Sequence, residues 1–266
     1  MGDPALGDHP GVAVNITFDA AWAVGLLLAT IRLAAFVIAS PIMSQLIPAA
    51  GRVAFVVSLG FFFAEPTPAL DFGSLVAAAF ANAFIGVLLG FATGIIFHLF
   101  TVGGSLIDDF SGLRVGAIVD PVTGASSAVF GRAFNMTALV LFFVVGGHRL
   151  VIRGLGETFE AVPLDGSLNL AAGLADAVVA LVGRMLVAAM ELAMPALAAL
   201  FVAEVVLGIA ARFAPQANVF LLGLPAKIIT ALASVWLVLL LMPETLSGTI
   251  RIIESTFGDV LAGLAP

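Results

Sequence analysis

Few residues of this 266-residue chain have the capacity for chemistry, and they are scattered. The three histidines stand apart: His9 in a polar lead, His98 inside an apolar run, His148 beside a glycine pair. A metal site needs several ligands at compatible spacing, and no such set accompanies any of them. There is no cysteine, which excludes disulfides and thiolate metal sites. Asp108 and Asp109 are the one adjacent pair of carboxylates suited to acid/base work. Neighbouring helical positions point in different directions, so the two cannot converge on one proton. No GxSxG, HExxH or phosphate-binding loop occurs. The expectation is a protein that is not an enzyme and carries no cofactor.

What remains are ionisable groups inside apolar runs: Arg32, Arg184, Glu191, Glu204, Arg212 and Lys227. At membrane depth such groups are costly unless paired, wetted or buried against protein. Two function classes could use them. A small-solute transporter or ion channel would build a site from Arg184, Glu191, Glu204 and Arg212; it calls for polar groups converging near the bilayer midplane and for an internal repeat. No repeat is evident, and helix lengths do not match between the halves. The other class is a structural subunit of a protein-conducting gate.

The elements that must position these groups follow from composition. The chain is 62% apolar and 10% charged, against about 25% charged in a soluble domain. The fold class is therefore all-α, a polytopic membrane protein. A net charge of −7 argues against nucleic acid and against a polybasic lipid-binding patch. Residues 1–19 form an acidic lead without the positive n-region of a secretory signal.

Apolar runs cover 20–42, 53–64, 75–102, 133–145, 176–208 and 219–242, which predicts about six long apolar segments. Arg32 lies near the middle of the first and is expected to meet a buried partner on another subunit. Pro41, Pro48 and Arg52 mark a break before a short second run. In the third, Gly86, Gly90 and Gly94 share one face and allow another helix backbone to approach closely. Residues 103–132 are rich in glycine and aspartate and read as a long central loop. Residues 150–159 form an amphipathic link. Pro195 interrupts the longest run, and 244–266 form a short amphipathic tail.

Between the last two long runs lies a hinge. Gly208, Arg212, Pro215, Gln216, Asn218, Val219, Phe220, Gly223, Pro225 and Lys227 fall in one gapless pattern there. That pattern resembles the FliR/SctT family, integral membrane subunits of the export gate in bacterial flagella and type III secretion systems. Arg32, Pro41, Pro48 and Arg52 look like its first block, and Gly86, Gly90, Gly104, Gly112, Asp120 and Pro121 like the next. Gly147, His148, Phe159 and Pro163 look like elements of flagellar members, and the Gly-x-Pro-x-Lys ending at Lys227 leans the same way. Asn82 departs from the family, many members of which have Glu there.

The resemblance implies assembly with FliP-like and FliQ-like membrane subunits into a helical funnel wrapped by a FlhB-like subunit. It implies a FliP-like portion at 20–175, a FliQ-like hairpin at 176–243 and a central loop that helps plug the pore. Unfolded flagellar proteins would cross the bacterial inner membrane through it, at the flagellar basal body. Within the loop, Gly112 and Gly116 suit a segment that shifts by local dihedral changes. The segment begins at Phe110, and Leu113, Val115, Ile118 and Val119 suit a water-excluding contact. Asp120 and Pro121 would fix one end, with Arg114 and Asp120 holding the segment closed. At the hinge, Arg212 and Lys227 are expected to meet acidic groups or helix-end carbonyls near Pro215 and Gln216. Arg32, Glu204, Asn218, Phe220 and Pro225 complete the expected assembly set.

Overall fold

The computed structural model describes residues 20–68, 70–114, 128–167, 174–213 and 219–264. Eight helices and no strand occur among the described residues, so the fold is all-α. Helix α1 (Ala20–Ala39) stops where Ser40 turns extended ahead of Pro41. The pyrrolidine ring disfavours helical geometry in the preceding residue but suits the first turn of a new helix. Pro41 accordingly opens α2 (Pro41–Leu46). Helix α3 (Ala49–Phe63) ends just before the prolines at 66 and 68.

Helix α4 (Phe72–Ser111) starts on an Asp71 cap. The Asp71 carboxylate accepts the Ser74 hydroxyl and, at 3.1 Å, the Gly73 N–H. These two bonds, the hydroxyl first, hold its carboxyl below the ordinary carboxylate range. The helix ends at Gly112 in the left-handed conformation (φ 80°). Helices α5 (Val129–Val145) and α6 (Gly147–Ala161) meet at a 74° bend. Gly146 makes that bend with φ 84°, a conformation that disfavours any side chain. Helix α7 (Leu174–Phe213) runs through Pro195, and α8 (Val219–Leu264) through Pro225 and Pro243.

Three sequence expectations change. First, the central loop is shorter than 103–132, because α4 continues to Ser111 and α5 begins at Val129. Two of the glycines that suggested a loop, Gly103 and Gly104, are packing positions. A Cβ at Gly103 would sit 3.1 Å from the Ala189 carbonyl of α7, and one at Gly104 would sit 2.5 Å from the Phe130 carbonyl of α5. Second, 244–264 continues α8 instead of forming a separate tail. Third, four described helices, not six, are long and apolar enough to cross a membrane: α1, α4, α7 and α8. The bent α5–α6 pair would be a fifth, and α3 is too short.

Glycines set how the first four helices pack. A Cβ at Gly86 would run into the Arg32 carbonyl; at Gly90 it would lie 2.8 Å from the Phe36 carbonyl, and at Gly94, 3.3 Å from Pro41 Cδ. Both residue numbers rise together, so α1 and α4 run parallel with backbones in close contact. The glycine face is thus covered from within the chain. Helix α3 returns along α1, placing Gly60 against Thr30 and Trp22 against Phe61. The stretch 129–166 then descends along α4, pairing Gly131 with Gly104, Phe142 with Phe97, and Leu164 with Asn82. One apolar core, with Phe36, Phe100, Phe134 and Leu192 among its members, joins α1, α4, α5 and α7.

Helices α7 and α8 pack antiparallel near their junction, where Gly223 meets Leu207 and Lys227 meets Glu204. Beyond that seam one side of each helix packs on the core, through Leu192 and Ala196 of α7 and Val238 and Met242 of α8, and the rest is bare. Only 22% of the most apolar stretch of α7 and 11% of that of α8 is buried.

Candidate functional site: a buried arginine node and the ends of the central segment

Arg32 is fully buried on α1, and its polar contacts lie inside the chain. Its Nε donates to Asn82 Oδ1 on α4 at 2.9 Å. Its Nη1 donates to the Thr158 carbonyl at 2.6 Å, and its Nη2 to the Val162 carbonyl at 2.9 Å. Both carbonyls belong to the C-terminal end of α6, where unsatisfied carbonyls and the helix dipole favour a cation. The guanidinium also lies 4.5 Å from the centre of the Phe159 ring, which stacks on Phe63 at 4.4 Å. Asn82 is held in turn, donating to the carbonyls of Ala78 (2.8 Å) and Leu164 (2.9 Å). The expected partner on another subunit is therefore replaced by partners on α4 and α6. Composition flags the arginine but not its partners, because two of the three are backbone carbonyls.

A second node joins the two ends of the central segment. The Asp108 carboxylate is buried and accepts the backbone N–H groups of Phe130 and Gly131, each at 3.0 Å. These belong to the first turn of α5, whose own N-cap residue, Ala128, supplies no side-chain bond. Asp108 thus caps α5 from a different helix. Its neighbour Asp109 is exposed and pairs with Arg114 at 2.8 Å, so the two carboxylates diverge. The sequence carries one signal for this node: a carboxylate beside glycines that lets two backbones approach.

The remaining expected residues fall into distinct places. Phe110 is exposed at the end of α4, Gly112 ends that helix, and Leu113 packs on the core. Val115, Gly116, Ile118, Val119, Asp120 and Pro121 lie outside the described residues. So do Pro215, Gln216 and Asn218 at the hinge, and the side chain of Phe220. Glu204 of α7 and Lys227 of α8 form an ion pair across the hairpin. Arg212 is exposed at the end of α7, and Pro225 is exposed on α8. Arg184, Glu191, Glu204 and Arg212 all lie exposed along α7. From Arg184 to Arg212 that helix extends about 40 Å at ~1.5 Å per residue, so the four do not form one solute site within this chain. His98 is exposed, and the His148 ring stacks on Phe143 at 5.4 Å. Among the described residues no cluster of three or more His, Asp or Glu could hold a metal.

Residues 23–252 match the family described as bacterial export proteins, family 1, which covers the Arg32 node, both flanks of the central segment and the hairpin. The chain belongs to this family. The chain is also similar to curated relatives. It is 30% identical over 213 residues to the flagellar biosynthetic protein FliR of Bacillus subtilis, covering 76% of this chain and 81% of the relative. It is 30% identical over 224 residues to FliR of Escherichia coli, covering 80% and 82%. It is 28% identical over 153 residues to the surface presentation of antigens protein SpaR of Shigella sonnei, covering 58% and 59%. The FliR/SctT resemblance is therefore correct, and this member of the bacterial export proteins is a membrane-embedded component of a flagellar or type III export apparatus.

Proposed function

We propose that the chain is a structural, non-catalytic and pore-forming subunit of the flagellar type III export gate in the bacterial inner membrane. It would assemble with FliP-like and FliQ-like subunits, be contacted by a FlhB-like subunit, and pass unfolded flagellar proteins at the basal body. The observation that carries this reading is the family match over 23–252, together with flagellar relatives aligned over about four-fifths of the chain. The division of exposure adds support. Helices α1 and α4 cover their glycine face and their buried charge internally, as a FliP-like portion at 20–175 needs. The α7–α8 hairpin leaves most of its apolar surface bare, with Arg184 and Glu191 exposed on it, as a FliQ-like element at 176–243 would if neighbours covered it.

The central segment is the proposed plug. An idle gate must be sealed to ions yet open without dismantling its wall, and a tethered segment flanked by two packed helices satisfies both conditions. Deleting 110–119 is the test. The assembled complex should form and leak small ions or dye across the membrane, with growth impaired. An assembled complex that stays tight after the deletion would place the seal elsewhere.

A further inference from the structure

We infer that Asp108 is a positioning residue for the gate: it clamps α4 to the first turn of α5, so that the two roots of the central segment stay together. The inference rests on the plug reading above and concerns what anchors the plug.

Three observations carry it. The Asp108 carboxylate is buried, and each of its oxygens takes one N–H, from Phe130 and from Gly131. A buried carboxylate is costly unless it is paired and hydrogen-bonded. Among the described residues its partners are these two amides, so the first turn of α5 supplies the compensation through its free N–H groups and the positive end of its dipole. Separating α5 from α4 would leave a carboxylate and two amides unsatisfied at once. The backbones also touch at this point: a Cβ on Gly104 would lie 2.6 Å from Gly131 N, and one on Gly131 would lie 2.9 Å from Ser105 Oγ and 3.1 Å from the Thr101 carbonyl. Finally, the clamp stands at the root of the segment, with Asp108 one turn before the left-handed Gly112 that ends α4 and its amides in the α5 turn that begins at Val129. The adjacent Asp109–Arg114 pair is partly exposed and lies on the α4 side alone, so it cannot hold the two ends together.

The test uses the full complex in membranes. Asp108→Asn keeps the shape but replaces one acceptor oxygen with an NH2 group that faces a backbone N–H. Asp109→Asn is the comparison. The complex should assemble in both; dye uptake and ion conductance should rise several-fold in Asp108→Asn and stay at the wild-type level in Asp109→Asn. Asp108→Glu, which keeps both acceptors, should recover much of the seal. The cysteine-free chain also permits spin labels at Asp109→Cys and Val129→Cys, one on each side of the clamp. Their distance distribution should be narrow in the otherwise unchanged chain and broad once Asp108→Asn is added.

A tight Asp108→Asn complex alongside a leaking 110–119 deletion overturns the clamp and leaves the plug reading standing. If neither leaks, the plug reading fails and the clamp with it. Should Asp108→Asn give no complex, the labels in the otherwise unchanged chain decide: a broad or two-peaked distribution there overturns the clamp.

Discussion

At the scale of single residues, the chain shows how a charge can be buried without an opposite charge. Arg32 has three oxygen acceptors, of which Asn82 supplies one and the end of α6 the other two. The arrangement ties three helices to one guanidinium. Arg32→Ala would leave the Asn82 and Val162 oxygens without their donors and the Thr158 carbonyl with the Val162 N–H alone, and buried acceptors so abandoned are destabilising. The expected loss is about 3 kcal/mol, from two buried acceptors left unpaired at about 1–3 kcal/mol each. Thermal aggregation of the detergent-solubilised complex measures it, and an unchanged midpoint would contradict the contact. The sequence made Arg32 conspicuous because arginine is rare inside an apolar run. It concealed the partners, because a carbonyl oxygen belongs to every residue and Asn82 stands where many relatives have Glu.

At the scale of helices, close approach decides the arrangement. The spacing of Gly86, Gly90 and Gly94 was legible as a contact face, but a spacing names a face and not what covers it. The cover is α1, running parallel. Glycines at 103 and 104 misled in the opposite direction, because in sequence a packing glycine and a loop glycine look alike. Two substitutions separate packing from propensity. Gly86→Ala drives a methyl group into the Arg32 carbonyl and should destabilise by about 1–3 kcal/mol, as overpacking does. Gly154→Ala has its nearest neighbour 3.8 Å away at Leu89 Cδ1 and should stabilise α6 by up to about 1 kcal/mol. Thermal midpoints of the two variants should move in opposite directions; movement of both in the same direction would show that the α1–α4 contact is looser than described.

At the scale of the whole molecule, the halves differ in what they leave uncovered. The first covers its buried charge and its glycine face internally, whereas α7 and α8 pack one side on the shared core and expose long apolar faces carrying Arg184 and Glu191. Lipid suits the apolar faces but not the charges. The chain produced without its assembly partners should therefore aggregate or be degraded, and co-expression with the FliP-like and FliQ-like subunits should restore it. A monodisperse, long-lived monomer in mild detergent would show that the hairpin needs no cover. The excess of apolar residues was legible, but where apolar surface stays uncovered was not, since Arg32 and the glycine face looked equally unsatisfied and are satisfied within the chain.

The distance in sequence between Arg32 and its acceptors has a consequence for biogenesis. Thr158 lies 126 residues downstream and Val162 lies 130. Translation proceeds at about 5–20 residues per second, so α1 leaves the ribosome on the order of ten seconds before the end of α6 exists. Throughout that interval the guanidinium has at most Asn82, 50 residues downstream, for a partner. The first span must therefore be kept at the insertion machinery, or wait shallow with its guanidinium in the headgroups, until the last turn of α6 arrives.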